Sequence, residues 1–319
     1  MIGDWASLKK DPEKNSRGVA LSKGLLLQGI LKEAQSFGVE YFPNTNVTGV
    51  SQVDGGAVVE SKTGDFEGRF VVAADGINSR IVRSLGLNKS RKFLGTSRSL
   101  CWVMSGVRPP DPEGHIFIFT MYGTFSIMPV CHEDHFHVCV ICDDSNTKLD
   151  ELLEQFTRND PVFQKWFAGA KREKGTESSI ANAWEAIEKP YSNNVIIVGD
   201  ACWCEQFANP PALSSGHQVG CALIKAFIDE SFNEEGVAQY LQWYDTHCFQ
   251  PFGRQPMGGG ISLTDFLTAE ELDYLASLPE KPAPHTASFL KMFKTIIETY
   301  QPLAPRIQEE KPEILEKMK

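Results

Sequence analysis

Two short runs of unbroken apolar residues constrain this chain more than any other feature. Phe70-Val71-Val72-Ala73-Ala74 and Val195-Ile196-Ile197-Val198 contain no polar position. A strand with one wet face alternates, so a run without alternation reads as a strand buried on both faces, as in parallel sheets covered by helices. Each run ends in a glycine and an acid: Asp75-Gly76 after the first, Gly199-Asp200 after the second. A helical pattern follows each, to Leu85 with Gly86 as its stop, and from about Gly216 to Asp229. Strand, turn and helix in that order put the turn at the carboxyl end of a strand, where α/β sheets bind ligands.

The rest of the chain is organised around these runs. Ser22–Phe37 carries Leu25, Leu26, Ile30, Leu31 and Ala34 at helical spacing, with Gly38 as a stop. Val39 to Ala74 reads as a meander of short strands turned at Asp54-Gly55-Gly56 and Gly64-Asp65. Antiparallel strands are expected over Leu100–Val107, Ile116–Met121, Thr124–Val130 and Phe136–Cys142, then helices near 148–157 and 161–170. Val237–Phe249, Leu263–Leu278 and Ala287–Tyr300 read as helices of a C-terminal α section.

Composition removes several function classes. With 31 basic against 41 acidic residues in 319, a net charge of -10, the chain lacks the clustered positive charge that phosphate backbones require, and no nucleic-acid partner is expected. No apolar run is long enough to span a bilayer, and Met1–Trp5 does not open a signal peptide, so the sequence predicts a cytoplasmic protein. Eight cysteines, among them Cys101, Cys139, Cys142 and Cys221 within apolar runs, are expected as reduced, packed thiols. His132, His135 and His137 lack a second ligand pair at zinc spacing, and no metal site is expected.

A flavin needs acceptors for its ribityl hydroxyls and positive partial charge near the pyrimidine end of its ring, where reduction places negative charge. A carboxylate at a strand end and a helix N-terminus meet these needs. Residues 195–229 offer them in order: Asp200, then Asn209-Pro210-Pro211-Ala212-Leu213-Ser214-Ser215-Gly216 opening the next helix. Val198-Gly199-Asp200-Ala201 followed by Pro210 and Gly216 resembles the second flavin motif of the para-hydroxybenzoate-hydroxylase-like FAD monooxygenases. Val72-Ala73-Ala74-Asp75-Gly76-Ile77-Asn78-Ser79-Arg80 resembles their Asp-Gly motif. Asn209-Pro210 also resembles the geranylgeranyl reductases of the same fold.

The resemblance implies an α/β (α+β) architecture: a Rossmann-like FAD-binding domain, incomplete here, with an inserted antiparallel β-sheet substrate domain and a helical C-terminal section. The boundaries expected are 1–97 with 190–235 for the partial FAD domain, 98–189 for the substrate sheet and 236–319 for the helices. It implies cofactor contacts from Gly199, Asp200, Ala201, Pro210, Gly216, Asp75 and Gly76, and from Lys23 where the family places an Arg. It assigns no catalytic residue. Trp203, Phe207, His217, Phe117, Phe119 and Phe125 are candidates either for lining a substrate pocket or for filling the core.

One departure qualifies the picture. The family's N-terminal βαβ unit with Gly-x-Gly-x-x-Gly is not found before Ser22, and Gly258-Gly259-Gly260 follows prolines rather than a strand. Without that unit, Val71–Ala74 is left with an open edge. A truncated chain, a complementing chain or homo-oligomer, and a re-closed fold are the alternatives. The activity implied is FAD- and NAD(P)H-dependent hydroxylation or epoxidation of an apolar small molecule. The alternatives are reduction of isoprenoid double bonds, with peripheral membrane contact if the substrate is a lipid, and a flavin-free binding protein on the same scaffold.

Overall fold

A computed structural model describes residues 22–130, 132, 134–202, 210–250, 267–280 and 298–317. In chain order these contain α1 (Lys23–Ser36), β1 (Val47–Val53), β2 (Gly56–Ser61), β3 (Phe66–Gly68), β4 (Val71–Ala73), α2 (Arg80–Ser84), β5 (Phe93–Ser105), β6 (Ile116–Thr120), β7 (Gly123–Pro129), β8 (His135–Cys142), α3 (Leu149–Glu154), β9 (Lys171–Trp184), β10 (Tyr191–Ser192), β11 (Val195–Ile197), α4 (Pro210–Ile228), α5 (Ala238–Tyr244), α6 (Ala269–Ser277), α7 (Ala304–Glu310) and α8 (Pro312–Lys317). The class is mixed α/β, as the sequence predicts. The chain divides into two compact units. One holds residues 35–97, 180–202 and 210–250; the other holds 22–34, 98–179, 267–280 and 298–317.

In the first unit, β1, β2 and β3 form an antiparallel meander, and β10, β11 and β4 form a second sheet. β11 pairs parallel with β4 and antiparallel with β10. The apolar run of β11 is buried on both faces. Val195 and Ile197 join a core with Ala73, Ile81, Val82 and Tyr244, while Ile196 and Val198 join one with Val219, Ala222 and Tyr240. β4 is less covered: its one strand partner among the described residues is β11, and Val72 is 38% exposed. Among the described residues β4 is thus the edge strand of its sheet.

The second unit is built on a sheet of order β6-β7-β8-β5-β9, whose first four strands pair antiparallel. Its pairing gives one face to Leu100, Trp102, Met104, Phe125, Ile127, Phe136, Val138 and Val140, packed against Leu153 and Phe156 of α3 and the turn that follows. The expected helix at 161–170 is only the short turn Gln164–Trp166, its aromatic neighbours Phe163 and Phe167 being drawn onto Phe156. α6, α7 and α8 bury Leu275, Ile307 and Ile314 together in a small cluster of their own. The helix expected at Ala287–Tyr300 lies mostly outside the described residues.

One expectation is corrected. Cys101 and Cys139 are not separate thiols: the β5/β8 register sets them directly opposite, 4.0 Å apart at Cα, and they form a disulfide. Cys142, Cys202 and Cys248 are buried and outside any disulfide, as is the half-buried Cys221. The helix expected over Ser22–Phe37 is present as α1; none of its residues is buried, and Leu25 is 70% exposed. Among the described residues no helix is long and apolar enough to cross a membrane.

Candidate flavin site

The site assembles at the carboxyl ends of the parallel strands β4 and β11. Beyond β11 the chain turns at Gly199, whose φ of +60° lies in the left-handed region open to glycine at little cost. Gly199–Ala201 then form one turn of 3-10 helix, with Asp200 exposed and Ala201 buried. The 19-residue helix α4 begins beside this turn: a Cβ placed on Gly199 would lie 3.8 Å from Ala212 and 3.9 Å from the Ser215 hydroxyl. Strand end, carboxylate and helix start are thus brought together.

The helix starts earlier than the sequence predicts, at Pro210 rather than near Gly216. Proline suits the first turn because the amides there have no intrahelical partner. The same prolines, Pro210 and Pro211, bring no N–H, so the donor left in the first turn is the amide of Ala212. Gly216 then falls inside the helix, where glycine costs about 1 kcal/mol relative to alanine. No packing requires it, since a Cβ at Gly216 would meet nothing within 4 Å. Gly216 is exposed, which leaves the flank of the helix near its start, close to the Gly199–Ala201 turn, open to a planar cofactor. The residues present fit FAD.

The second acidic turn is engaged differently. One carboxylate oxygen of Asp75 accepts from the amides of Arg80, at 2.8 Å, and Ile81, at 3.3 Å, and the Ser79 hydroxyl accepts from Val82 at 2.9 Å, so both cap the short helix α2. Gly76, at φ +76°, faces open space. The Arg80 guanidinium donates to the Asn46 side chain, and the Asn78 amide bonds Ile180 and Asn182 of β9. Asp75 therefore holds its own loop, next to the Asp200 turn.

Other candidates separate. Lys23 is the exposed first residue of α1, in the other unit. Trp203 and Phe207 lie outside the described residues. His217 is exposed on α4, its ring nitrogens 3.9 and 4.0 Å from the Cys221 sulfur. Phe117, Phe119 and Phe125 do not share a surface. Phe125 is in the core, stacked on Phe156 with ring centroids 4.1 Å apart. Alternation puts Phe117 and the largely exposed Phe119 on the opposite side of the sheet, their rings stacked at 6.5 Å. Of the two alternatives open for Phe125, pocket or core, the structure has the core.

Two residues that sequence reasoning missed stand behind the Asp200 turn. Tyr240 and Tyr244, one turn apart on α5, are buried, and burial raises both phenol pKa values. Tyr240 donates to the Ile197 carbonyl at 2.6 Å and Tyr244 to the Ile187 carbonyl at 2.7 Å. Their helical spacing is visible in the sequence, but nothing there marks where the hydroxyls go. Among the described residues no group of three His, Cys, Asp or Glu could hold a metal ion.

A family model described as an FAD binding domain matches residues 14–248. The chain belongs to this FAD-binding family. Among curated members with related sequences, it is 26% identical over 219 residues to AqdB1 of Rhodococcus erythropolis, named as a 2-heptyl-3-hydroxy-4(1H)-quinolone synthase, covering 66% of this chain and 53% of that protein. It is 23% identical over 284 residues to digeranylgeranylglycerophospholipid reductase 2 of Methanosphaera stadtmanae, covering 81% of this chain and 67% of that protein. The chain thus spans about half to two thirds of the length of these relatives. A geranylgeranyl bacteriochlorophyll reductase-like protein from Thermoplasma acidophilum shares the fold, with a TM-score of 0.68 at 18% identity over 88% of this chain and 73% of that one. The two motifs read from the sequence, Asp75-Gly76 and Gly199-Asp200-Ala201, both lie within the matched FAD-binding region.

Proposed function

We propose that this chain carries the flavin-ring half of an FAD-dependent monooxygenase that hydroxylates or epoxidises an apolar small molecule, with NAD(P)H as reductant. The observation that supports it is the meeting of the Gly199–Ala201 turn with the start of α4 beside the open flank at Gly216. When bound, FAD supplies the redox chemistry. Asp200 accepts hydrogen bonds from the ribityl hydroxyls. The amide of Ala212, at the positive end of a 19-residue helix, would stabilise the charge that reduction places on the pyrimidine end of the ring.

The adenosine half is assigned to a glycine-rich strand, turn and helix that would add to β4, the edge strand of its sheet among the described residues. The greater length of the relatives supports that assignment. It leads to a sharp test. Titrated with FAD and with FMN and followed by visible absorbance, the chain is expected to bind both within about threefold, because the ring and ribityl contacts are the ones it owns. No spectral change with either flavin at millimolar concentration would refute the flavin reading.

A second reading, reduction of isoprenoid double bonds, is favoured by the likeness to the digeranylgeranylglycerophospholipid reductase extending over 81% of the chain. It implies peripheral contact with a membrane holding the lipid substrate. With a flavin-loaded, complemented protein, oxygen consumption coupled to NAD(P)H oxidation supports the monooxygenase. Anaerobic loss of substrate double bonds supports the reductase.

A further inference from the structure

The carbonyl of Ile197 is left without its natural strand partner, and the reason is a proline. The β10/β11 register pairs Tyr191 with Ile196, so the next residues opposite each other are Pro190 and Ile197. In an antiparallel pair of this kind the two residues exchange both backbone hydrogen bonds. One is made: the Ile197 amide donates to the Pro190 carbonyl at 2.9 Å. The reciprocal bond has no donor, because proline has no N–H. Ile197 is fully buried, and a buried carbonyl without a donor is costly. The Tyr240 hydroxyl fills that vacancy at 2.6 Å.

A second clamp grips the other side of the same turn. The Ile187 amide donates to the Cys202 carbonyl at 2.8 Å, and the Ile187 carbonyl accepts from the Tyr244 hydroxyl at 2.7 Å. The Cys202 amide and thiol both return to the Gly199 carbonyl, at 3.1 and 3.2 Å. The segment Val198–Cys202, which presents Asp200, is therefore held by α5 through Ile197 before it and through Ile187 after it.

We propose that Tyr240 and Tyr244 are positioning residues for the flavin-binding turn, their hydroxyls fixing Gly199–Cys202, with Tyr240 standing in for the amide that Pro190 cannot supply. The proposal rests on the flavin reading for its purpose, though not for its geometry. Neither tyrosine touches the open flank at Gly216; each acts through a backbone carbonyl. The ring of each is replaceable by phenylalanine without loss of packing volume, so the hydroxyl can be tested alone.

The decisive experiment compares Tyr240→Phe, Pro190→Ala and the double variant Pro190→Ala/Tyr240→Phe, because Pro190→Ala restores the missing N–H. In the flavin-free protein, amide exchange over residues 195–202 is expected to accelerate about tenfold in Tyr240→Phe, the size expected for one lost buried bond, while exchange in β1 and β2 stays unchanged. FMN affinity is expected to fall by a similar factor. Both effects are expected to return to within about threefold of wild type in the double variant, where the restored amide meets the Ile197 carbonyl. Tyr244→Phe, with no such vacancy behind it, is expected to show the exchange effect without rescue by Pro190→Ala. If Tyr240→Phe alone fails to fold, recovery of folding and FMN binding in the double variant supports the proposal, and continued failure overturns it. Unchanged exchange in Tyr240→Phe, acceleration spread evenly over the unit, or a double variant no better than the single one also overturns it. A wild-type chain that binds no flavin defeats the functional reading, while the exchange data still judge the clamp.

Discussion

β4 and β11 lie side by side, run in the same direction and each deliver an aspartate beside a left-handed glycine, yet the two turns are put to different uses. Asp75 spends its carboxylate on the amides that open α2, a helix of five residues, and its strand is the edge of its sheet among the described residues. Asp200 stands on a strand buried on both faces, beside the first turns of a helix of 19 residues, with two tyrosine hydroxyls gripping the backbone on either side. Strand-end aspartates are therefore not equivalent. Asp75 caps its own helix, whereas Asp200 is exposed on a turn whose backbone is held by other residues.

The largest effect that can break this contrast is on flavin affinity. Asp200→Ala removes an exposed carboxylate and is expected to weaken FMN binding by about a hundredfold, about 2.7 kcal/mol, with thermal stability nearly unchanged. Asp75→Ala should do the reverse: a loss of about 1 kcal/mol of folding stability, typical of a removed helix cap, and less than about threefold in FMN affinity. Denaturant melts and absorbance titrations on the same two proteins decide it. If both lose affinity alike, Asp75 is a cofactor ligand and the contrast fails.

Gly216→Ala is expected to act in opposite directions on the two quantities, each by a smaller amount. A helical Gly→Ala change in open space should stabilise the flavin-free protein by up to about 1 kcal/mol, while the added methyl enters the space assigned to the flavin and weakens FMN by about tenfold. A more stable variant with undiminished affinity would place the flavin elsewhere.

How much of this was legible in the sequence depends on whether the deciding interaction is local. The unbroken apolar runs at 70–74 and 195–198 announced the parallel strands, because the absence of alternation is itself the signal, although only the second run is buried on both faces. Gly199 was legible for the same reason, being local turn chemistry, whereas α4 begins at Pro210, six residues before the start the sequence suggests. β9 was not foreseen: Lys171–Trp184 contains charges, two serines and a glycine, and only pairing beside β5 makes it a strand. Phe117 and Phe125 look alike in sequence, but strand register decides which meets Phe156. Pro190 and Tyr240 are 50 residues apart, and their complementarity exists only once β10 and β11 are paired. The same holds for the Cys101–Cys139 disulfide.

The weakest expected effect on stability still probes what backs the Asp200 turn. Burial pushes the Cys202 thiol up to about 12, as expected for a sulfur sealed behind the turn among Tyr244, Cys248 and Ala201. A thiol with a folded pKa raised this far above its unfolded value is neutral in the native state throughout the neutral range. The unfolded chain loses its proton first as pH rises, so the native state loses stability only above the ordinary thiol pKa and shows no dependence below it. Reactivity follows the same logic, since the thiolate is the nucleophile. At pH 8, with iodoacetamide and peptide-level mass spectrometry, Cys221 on the outer side of α4 is expected to label while Cys202 stays unmodified until denaturant is added. Tyr240→Phe and Tyr244→Phe should each speed Cys202 labelling if the clamp keeps the turn closed over this core. Native labelling of Cys202 at the rate of Cys221 would mean that the turn opens freely, leaving Asp200 no better fixed than Asp75.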